Sequence, residues 1–520
     1  MRPGLLFYWP VDRYRDKTAL VLGDIRLTFG QMDAAVNRLS NALLSLNLRT
    51  GHKVAVLMGN SIEAAFSIFA IPRAGLTYVT LNARHSAREH LEILNDAEVD
   101  AIIVGQEFID LIEPVVEQAV HLKHLIIAGD ERSGWMNYRT LIADQPETRP
   151  EIEVDPDEDI ERIHYTSGTT GRPKGAVWPF RMSYHVIASI LMNMDRPLGP
   201  YDVNLNIGPL THAAGLMLMV YYCRGATNIV LTRFDEKMVL STIERERVTS
   251  VLLIPTMLYR IMARSDLNAF DLSSVKRVWY GTAPMAPERL RQGIGLFGNV
   301  FRQNYGMTEI PQPITYLAPE DHVLEGREKE TRRLSSAGRP ALGVEVRVVD
   351  EQGRDLGPGQ IGEIVLRAEK LISGYWKMPE ETAAAFEDGW FHTRDMGTWD
   401  EEGFLYIMDR KSDMIITGGF NVYPREVEEV IMELDGVAET AVIGVPDDIW
   451  GEAVKALVVL QTQAELTEED IMKYCRDNLA GYKKPKSVEF IDKVPKNLYG
   501  KIDRRSLKEP YWEGMGRRVH

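Results

Sequence analysis

Between residues 53 and 105, short apolar runs alternate with longer segments of helical period, and this alternation limits what the chain can fold into. KVAVLM (53–58), TYVTL (77–81) and AIIVG (101–105) have the length and β-branched content of strands. SIEAAFSIFAI (61–71) and SAREHLEIL (86–94) lie between them as helices. Such alternation predicts a layered α/β sheet with helices on both faces. Upstream, TALVLGDIRLTF (18–29) reads as two strands around the turn Gly23–Asp24, and Met32, Val36, Leu39, Leu43 and Leu46 follow at spacings of three and four. The pattern resumes in NIVLTRF (228–234), VTSVLLIP (248–255) and VKRVWYGT (275–282), after an acidic linker EIEVDPDEDIE (151–161).

From about residue 342 the texture changes. VEVRVVDEQGRDLGPGQIGEIVLRA alternates with period two and is broken by Gly/Pro turns, so a β-rich subdomain is expected over about 342–409. A boundary follows near 409–412. Residues 410–520 then form a small α+β unit: helix PREVEEVIMEL (424–434), strands AETAVIGV and AVKALVVL, helix TEEDIMKYCRDNL (467–479) opened by the capping pair Thr467 and Asp470, and strand SVEFID. The expected architecture is a large N-terminal α/β domain, residues 1–409, followed by a small C-terminal one.

The formal charge of -15 argues against a nucleic-acid binder, although local lysines can still hold anions. Two cysteines far apart, Cys223 and Cys475, argue against a disulfide framework and suit a reducing, cytoplasmic setting. AAGLMLMVYY (213–222) is half a bilayer span and reads as core. No integral membrane segment is expected, and peripheral association with a membrane is left open.

YTSGTTGRPKGA (165–176) is the most chemically pointed stretch. It gathers the hydroxyls of Thr166, Ser167, Thr169 and Thr170, the glycines Gly168, Gly171 and Gly175, and the cations Arg172 and Lys174. Glycines let backbone N–H groups turn toward a guest and hydroxyls add donors, so the loop is suited to gripping an oligophosphate. It is not a Walker A loop, because Pro173 stands where that motif needs glycine before the lysine.

Further strings extend this chemistry. QNYGMTE (303–309) offers Asn304, an aromatic face at Tyr305, Gly306, the hydroxyl of Thr308, and at Glu309 a carboxylate of the kind hard Mg²⁺ prefers. WYGTAPM (279–285) closes a strand with Gly281, Thr282 and Ala283, small enough for a flat ligand to lie against backbone. Asp395 in GWFHTRDMG (389–397) can accept two hydrogen bonds, and Arg410 follows in DRK (409–411).

PLTHAAG (209–215) places His212 among apolar neighbours. PKNLYGKIDR (495–504) places Lys501 after Gly500 in a basic run, and TGGFNVYPREVE (417–428) sets Gly418 and Gly419 before Phe420.

In this order the strings resemble the adenylate-forming superfamily of acyl-CoA synthetases, luciferases and adenylation domains, over essentially the whole chain. The resemblance implies an ATP-dependent acid–CoA ligase, in which a carboxylate and ATP give acyl-AMP and pyrophosphate, and coenzyme A then displaces AMP. It implies that Thr166–Gly171 and Lys174 bind phosphate, that Gly281–Ala283, Asn304–Gly306 and Thr308 bind the nucleotide, and that Asp395 and Arg410 bind its ribose. His212, Tyr280, Gly281 and Met307 would face the acyl group, Glu309 would hold Mg²⁺, and Lys501 would bridge carboxylate and α-phosphate. Gly418, Gly419 and Phe420 would wall a thiol tunnel. The C-terminal domain would be mobile, rotating about Ser412 to exchange Lys501 for that wall.

Two departures stand out: many members have lysine or aspartate where this chain has Ser412, and plant coumarate ligases have lysine in place of Gly418. No aspartate in PLTHAAG is placed to hold an amino-acid ammonium group, and Met217, Met219, Trp279, Tyr280 and Met307 suggest an apolar pocket for a fatty or aryl/cyclic monocarboxylate. Arg302 keeps a second carboxylate in view. The competing readings are transfer to a carrier-protein phosphopantetheine and, in another class, a nucleotide-binding regulatory homologue without turnover. A homodimer is the family's habit.

Overall fold

A computed structural model describes residues 1–520 except 167–172, 284, 411–412, 419, 448, 463, 498–500 and 514–520, and excepting the side chain of Arg410. Its strands fall into two large and two small sheets.

The first large sheet runs Arg339–Pro340, Thr315–Leu317, Phe301–Tyr305, Arg277–Gly281, Ser250–Leu252, Val203–Asn206, Thr227–Val230, Thr18–Leu22 and Ile25–Thr28. Its six central strands are parallel and both edges turn antiparallel. The second runs Gly374–Tyr375, Lys174–Pro179, Ile160–Thr166, Thr77–Thr80, Lys53–Leu57, Ala101–Gly105, His124–Ala128 and Met136–Asn137. It is parallel except at the end carrying Lys174–Pro179 and Gly374–Tyr375.

Strand alternation explains how these sheets stack. Val54 and Val56 face one core, which they share with the buried helices Ile62–Arg73 and Ala213–Cys223 and with Leu20, Val230 and Trp279 of the first sheet. Ala55 and Leu57, one residue out of phase, face a separate core with Ile93, Leu94 and Ile112. The first sheet buries its other face against helices Glu236–Glu246, Pro255–Met262 and Pro287–Phe297. Helices thus cover both faces of both sheets, with one helical layer between them. AAGLMLMVYY lies in that middle layer, which is why its helix is apolar all round.

The strands between Val344 and Arg410 make the third sheet, and those between Ile415 and Phe490 the fourth. One strand departs from the period-two expectation for residues 342–409: Gly374–Tyr375 leaves its neighbours in sequence and pairs with Lys174–Pro179 of the second large sheet. In the C-terminal unit, Thr467 and Asp470 form the expected capping box. Arg425 ties this unit to the rest, donating to the Ile407 carbonyl at 2.7 Å while its backbone N–H donates to Asp409 at 3.2 Å. Among the described residues no helix is long and apolar enough to cross a membrane.

Candidate adenylation site

Thr166 ends one strand and Lys174 begins the next, and the two are register partners, so the antiparallel strands that flank the Thr/Gly-rich string lie side by side. Ser167, Gly168, Thr169, Thr170 and Gly171 lie outside the described residues, as do Ser412 and Gly419. At this end of the strand pair, the Lys174 ammonium sits 5.4 Å from the centre of the Tyr375 ring. The Tyr375 hydroxyl donates to Glu309 Oε1 at 2.9 Å. Lys174 and Glu309, 135 positions apart in sequence, therefore meet on one tyrosine.

The 306–309 loop is pinned from both sides: Trp178 Nε1 donates to the Thr308 carbonyl at 3.1 Å, and the Ile372 N–H to the Glu309 carbonyl at 3.0 Å. Glu309 is only 8% exposed. No cluster of three potential metal-ligating side chains exists among the described residues. As a buried carboxylate, Glu309 is a ligand of the type that would suit Mg²⁺.

Strand Phe301–Tyr305 carries Asn304 and Tyr305, two of the residues expected to meet the nucleotide. The Tyr305 hydroxyl donates to Asp395 Oδ2. Asp395 and Arg410 are register partners on adjacent strands, so the two expected ribose contacts stand side by side. Asn304 is 2% exposed, and its Oδ1 has no hydrogen-bond partner among the described residues. Such an acceptor suits an amino group of a bound base. Gly281 sits opposite Asn304 with φ of +152°, and a Cβ there would lie 2.2 Å from the Asn304 carbonyl oxygen. Glycine is required for the two backbones to approach so closely. Thr282 follows with a positive φ of 65°, turning the chain through Ala283.

His212 precedes the central helix Ala213–Cys223, its Nδ1 2.8 Å from Thr211 Oγ1. Crowding by surrounding protein, with Arg84 and His85 nearby, pushes its pKa down to about 4, although the ring surface itself is exposed. Exposure weakens the desolvation penalty, so the direction is what matters: a neutral imidazole at pH 7. Met217 and Trp279 are buried in the same core below it. Gln312 Nε2 contacts Met217 Sδ at 3.8 Å. Met307 packs against the Ile310–Ile314 cluster beside Tyr305.

Two expectations need correction. Tyr280 follows Trp279 on a strand and so points to the opposite face, into the core with Phe301, where its hydroxyl meets His322 Nε2 at 2.9 Å. That leaves it off the Trp279–Met217 face expected of an acyl pocket. Arg302 is 2% exposed and clamps Asp195 in a bidentate pair at 2.5 and 2.7 Å, so it is committed to structure and does not await a second carboxylate.

On the C-terminal unit, Lys501 is exposed; its carbonyl accepts from the Asn497 N–H at 2.7 Å and its own N–H donates to Asn497 Oδ1 at 3.1 Å. Gly418 has φ of +57°, and a Cβ there would fall 2.1 Å from the Trp450 ring. Its N–H donates to the Trp450 carbonyl at 2.8 Å. Beside this turn Phe420 stacks on Tyr482, ring centres 4.8 Å apart, and Lys486 lies 5.2 Å from the Trp450 ring. Sequence reasoning missed Tyr375, Trp450 and Tyr482. The basic run around 483–486 was the only visible signal for the last two, and nothing local marked Tyr375.

A family model described as AMP-binding enzyme matches residues 7–376, and one described as AMP-binding enzyme C-terminal domain matches residues 426–501. The chain belongs to this family of adenylate-forming AMP-binding enzymes. Among its relatives, a medium/long-chain-fatty-acid–CoA ligase of Mycobacterium tuberculosis is 36% identical over 530 residues, spanning 99% of this chain and 91% of that protein. An anthranilate CoA ligase solved with anthranoyl-AMP superposes with a TM-score of 0.89 at 28% identity, over 97% of this chain and 96% of that one. The amide bond synthetase of Marinactinospora thermotolerans superposes with a TM-score of 0.88 at 31% identity, over 98% and 100% of the two chains.

Proposed function

We propose that this chain is an AMP-forming acid–CoA ligase acting on a hydrophobic, fatty or aryl/cyclic, monocarboxylate. In the first half-reaction a substrate carboxylate oxygen attacks the α-phosphorus of ATP, and the bond to the departing pyrophosphate breaks. In the second, the thiolate of coenzyme A attacks the acyl carbon and AMP leaves. The observation that carries the reading is the convergence of Glu309 and Lys174 on Tyr375, together with the Tyr305–Asp395 bond.

The residues take these roles. Tyr305 offers a face for adenine and Asn304 Oδ1 an acceptor for its amino group. Asp395, with Arg410, receives the ribose hydroxyls. Thr166–Gly171 and Lys174 grip the phosphates, and Thr308 meets the α-phosphate. Glu309 holds Mg²⁺, which when bound neutralises phosphate charge. Lys501, delivered by rotation of residues 410–520 about Ser412, offsets charge developing at phosphorus. Neutral His212 donates to the substrate carboxylate without pairing with it as an ion. The acyl tail extends toward Met217 and Trp279.

For the second half-reaction, Gly418 and Gly419 with Phe420 admit the thin pantetheine arm. Trp450, Phe420 and Tyr482 offer flat apolar surface for the adenine of CoA, and Lys483, Lys484 and Lys486 offer charge for its phosphates.

The test is a panel of carboxylic acids supplied with ATP, Mg²⁺ and coenzyme A, with AMP and acyl-CoA measured by mass. Acyl-CoA with stoichiometric AMP supports the reading. Adenylate formed but passed only to carrier-bound pantetheine or to an amine redirects the acceptor. Absence of AMP with every acid overturns the reading in favour of a nucleotide-binding homologue.

A further inference from the structure

Tyr375 is held more firmly than a strand of two residues would suggest. Its strand pairs with Lys174–Pro179, Tyr375 opposite Ala176. The flanking Ser373 and Trp376 N–H groups donate to Val177 and Gly175 carbonyls at 3.0 and 2.7 Å. The Tyr375 N–H donates to Thr382 Oγ1 at 2.9 Å, and that hydroxyl donates onward to the Met378 carbonyl at 2.7 Å. Ile372, three residues before, bonds the backbone of Glu309 itself. The tyrosine is therefore fixed to the strand that carries Lys174 and to the loop that carries Glu309.

Among the described residues, no ion pair joins Lys174 to Glu309. A carboxylate and an ammonium at one site attract strongly once solvent is thinned, and a direct pair would occupy both groups. Tyr375 offers each a separate partner. Its hydroxyl takes one oxygen of Glu309, and its ring face lies within cation–π range of the Lys174 ammonium.

We propose that Tyr375 is a positioning residue for the adenylation half-reaction: it holds Glu309 and Lys174 apart and aims the carboxylate, so that both are presented to the metal-bound triphosphate. The inference rests on the adenylation reading above. The hydroxyl and the ring have separable roles, the first toward the carboxylate and metal, the second toward the lysine and phosphate.

The experiment measures binding rather than turnover. Wild type, Tyr375→Phe, Tyr375→Leu, Glu309→Gln and the double variant Tyr375→Phe/Glu309→Gln are titrated calorimetrically with AMP, and with α,β-methylene-ATP over a range of MgCl₂. Losing one hydrogen bond to a charged group raises the Mg²⁺ concentration for half-maximal analogue binding about tenfold in Tyr375→Phe, while AMP affinity stays within about twofold. In the Glu309→Gln background the same change adds less than about twofold, because the interaction is already gone. Tyr375→Leu also loses about threefold to tenfold in analogue affinity at saturating Mg²⁺, which Phe preserves.

A Phe variant with wild-type Mg²⁺ dependence overturns the role of Tyr375. So does an equal loss of AMP affinity, which marks a purely structural residue, or full multiplication of the two effects in the double variant. A wild type that binds neither nucleotide overturns the adenylation reading, and this inference with it.

Discussion

Lys370 offers a quantitative test of how the nucleotide loop is braced. It lies between the third sheet and the Gly374–Tyr375 strand, 2% exposed, and its amine donates to Ser189 Oγ at 2.9 Å and to the Pro313 carbonyl, just beyond the Tyr305–Glu309 loop. Burial pushes its pKa from 10.5 down to about 7. A neutral amine has two N–H bonds and both have acceptors here, whereas protonation adds a third donor and a charge in a dry site. Because the folded-state value lies below the unfolded one, the unfolded chain binds more protons between about pH 7 and 10.5, and stability rises with pH across that window.

The cost of the charge is full below about pH 7 and vanishes above about pH 10.5. At about 1.4 kcal/mol per pH unit it reaches on the order of 5 kcal/mol. Lys370→Met removes that cost but orphans two acceptors, at roughly 1–3 kcal/mol. The variant is therefore expected to be roughly 2–4 kcal/mol more stable than wild type at pH 6, and less stable above roughly pH 9. Equilibrium urea unfolding of both proteins at pH 6, 7, 8 and 9.5 reads the difference, in which all shared titrations cancel. Stability curves that run parallel across that range would refute the reasoning.

Three further outcomes follow from the site. Lys501→Ala nearly abolishes acid-dependent pyrophosphate exchange yet leaves thiolysis of a preformed acyl-adenylate within about threefold of wild type, as expected for a group acting on charge at phosphorus alone; surviving exchange would remove Lys501 from the chemistry. Gly281→Ala forces the Gly281 and Asn304 strands apart, and is expected to cost roughly 2–3 kcal/mol of stability and at least tenfold in nucleotide affinity, so wild-type values for both in unfolding and AMP titration would show that the close approach is dispensable. Trp450→Ala raises the KM for coenzyme A about tenfold and leaves the KM for ATP in pyrophosphate exchange unchanged, whereas equal shifts in both would count against the aromatic surface as a thiol-side element.

What was legible in the sequence depended on how local the signal was. The alternation over 53–105 gave the parallel strands and covering helices, because a strand's length and a helix's period are written in adjacent residues. The Thr467–Asp470 cap was legible for the same reason. Pairing across long separations was not. Nothing near Gly374–Tyr375 announces that two residues of a β-rich segment will desert it for a strand some 200 positions earlier, and with that pairing Tyr375 went unseen. Tyr280 was misjudged because an apolar residue in a motif carries no mark of which strand face it takes. Arg302 lost its proposed role to Asp195, a partner 107 positions away.

The contact between Gly418 and Trp450 makes those two positions mutually exclusive in bulk. With the indole where it is, a side chain at 418 has nowhere to go, and the left-handed backbone already disfavours one. A relative carrying lysine at the first position should therefore carry something small at the second, and a single swap in either background should fail where the paired exchange succeeds. Two routes for gripping a thiol donor, a reaching cation or a broad ring, would then be alternatives that one protein cannot combine.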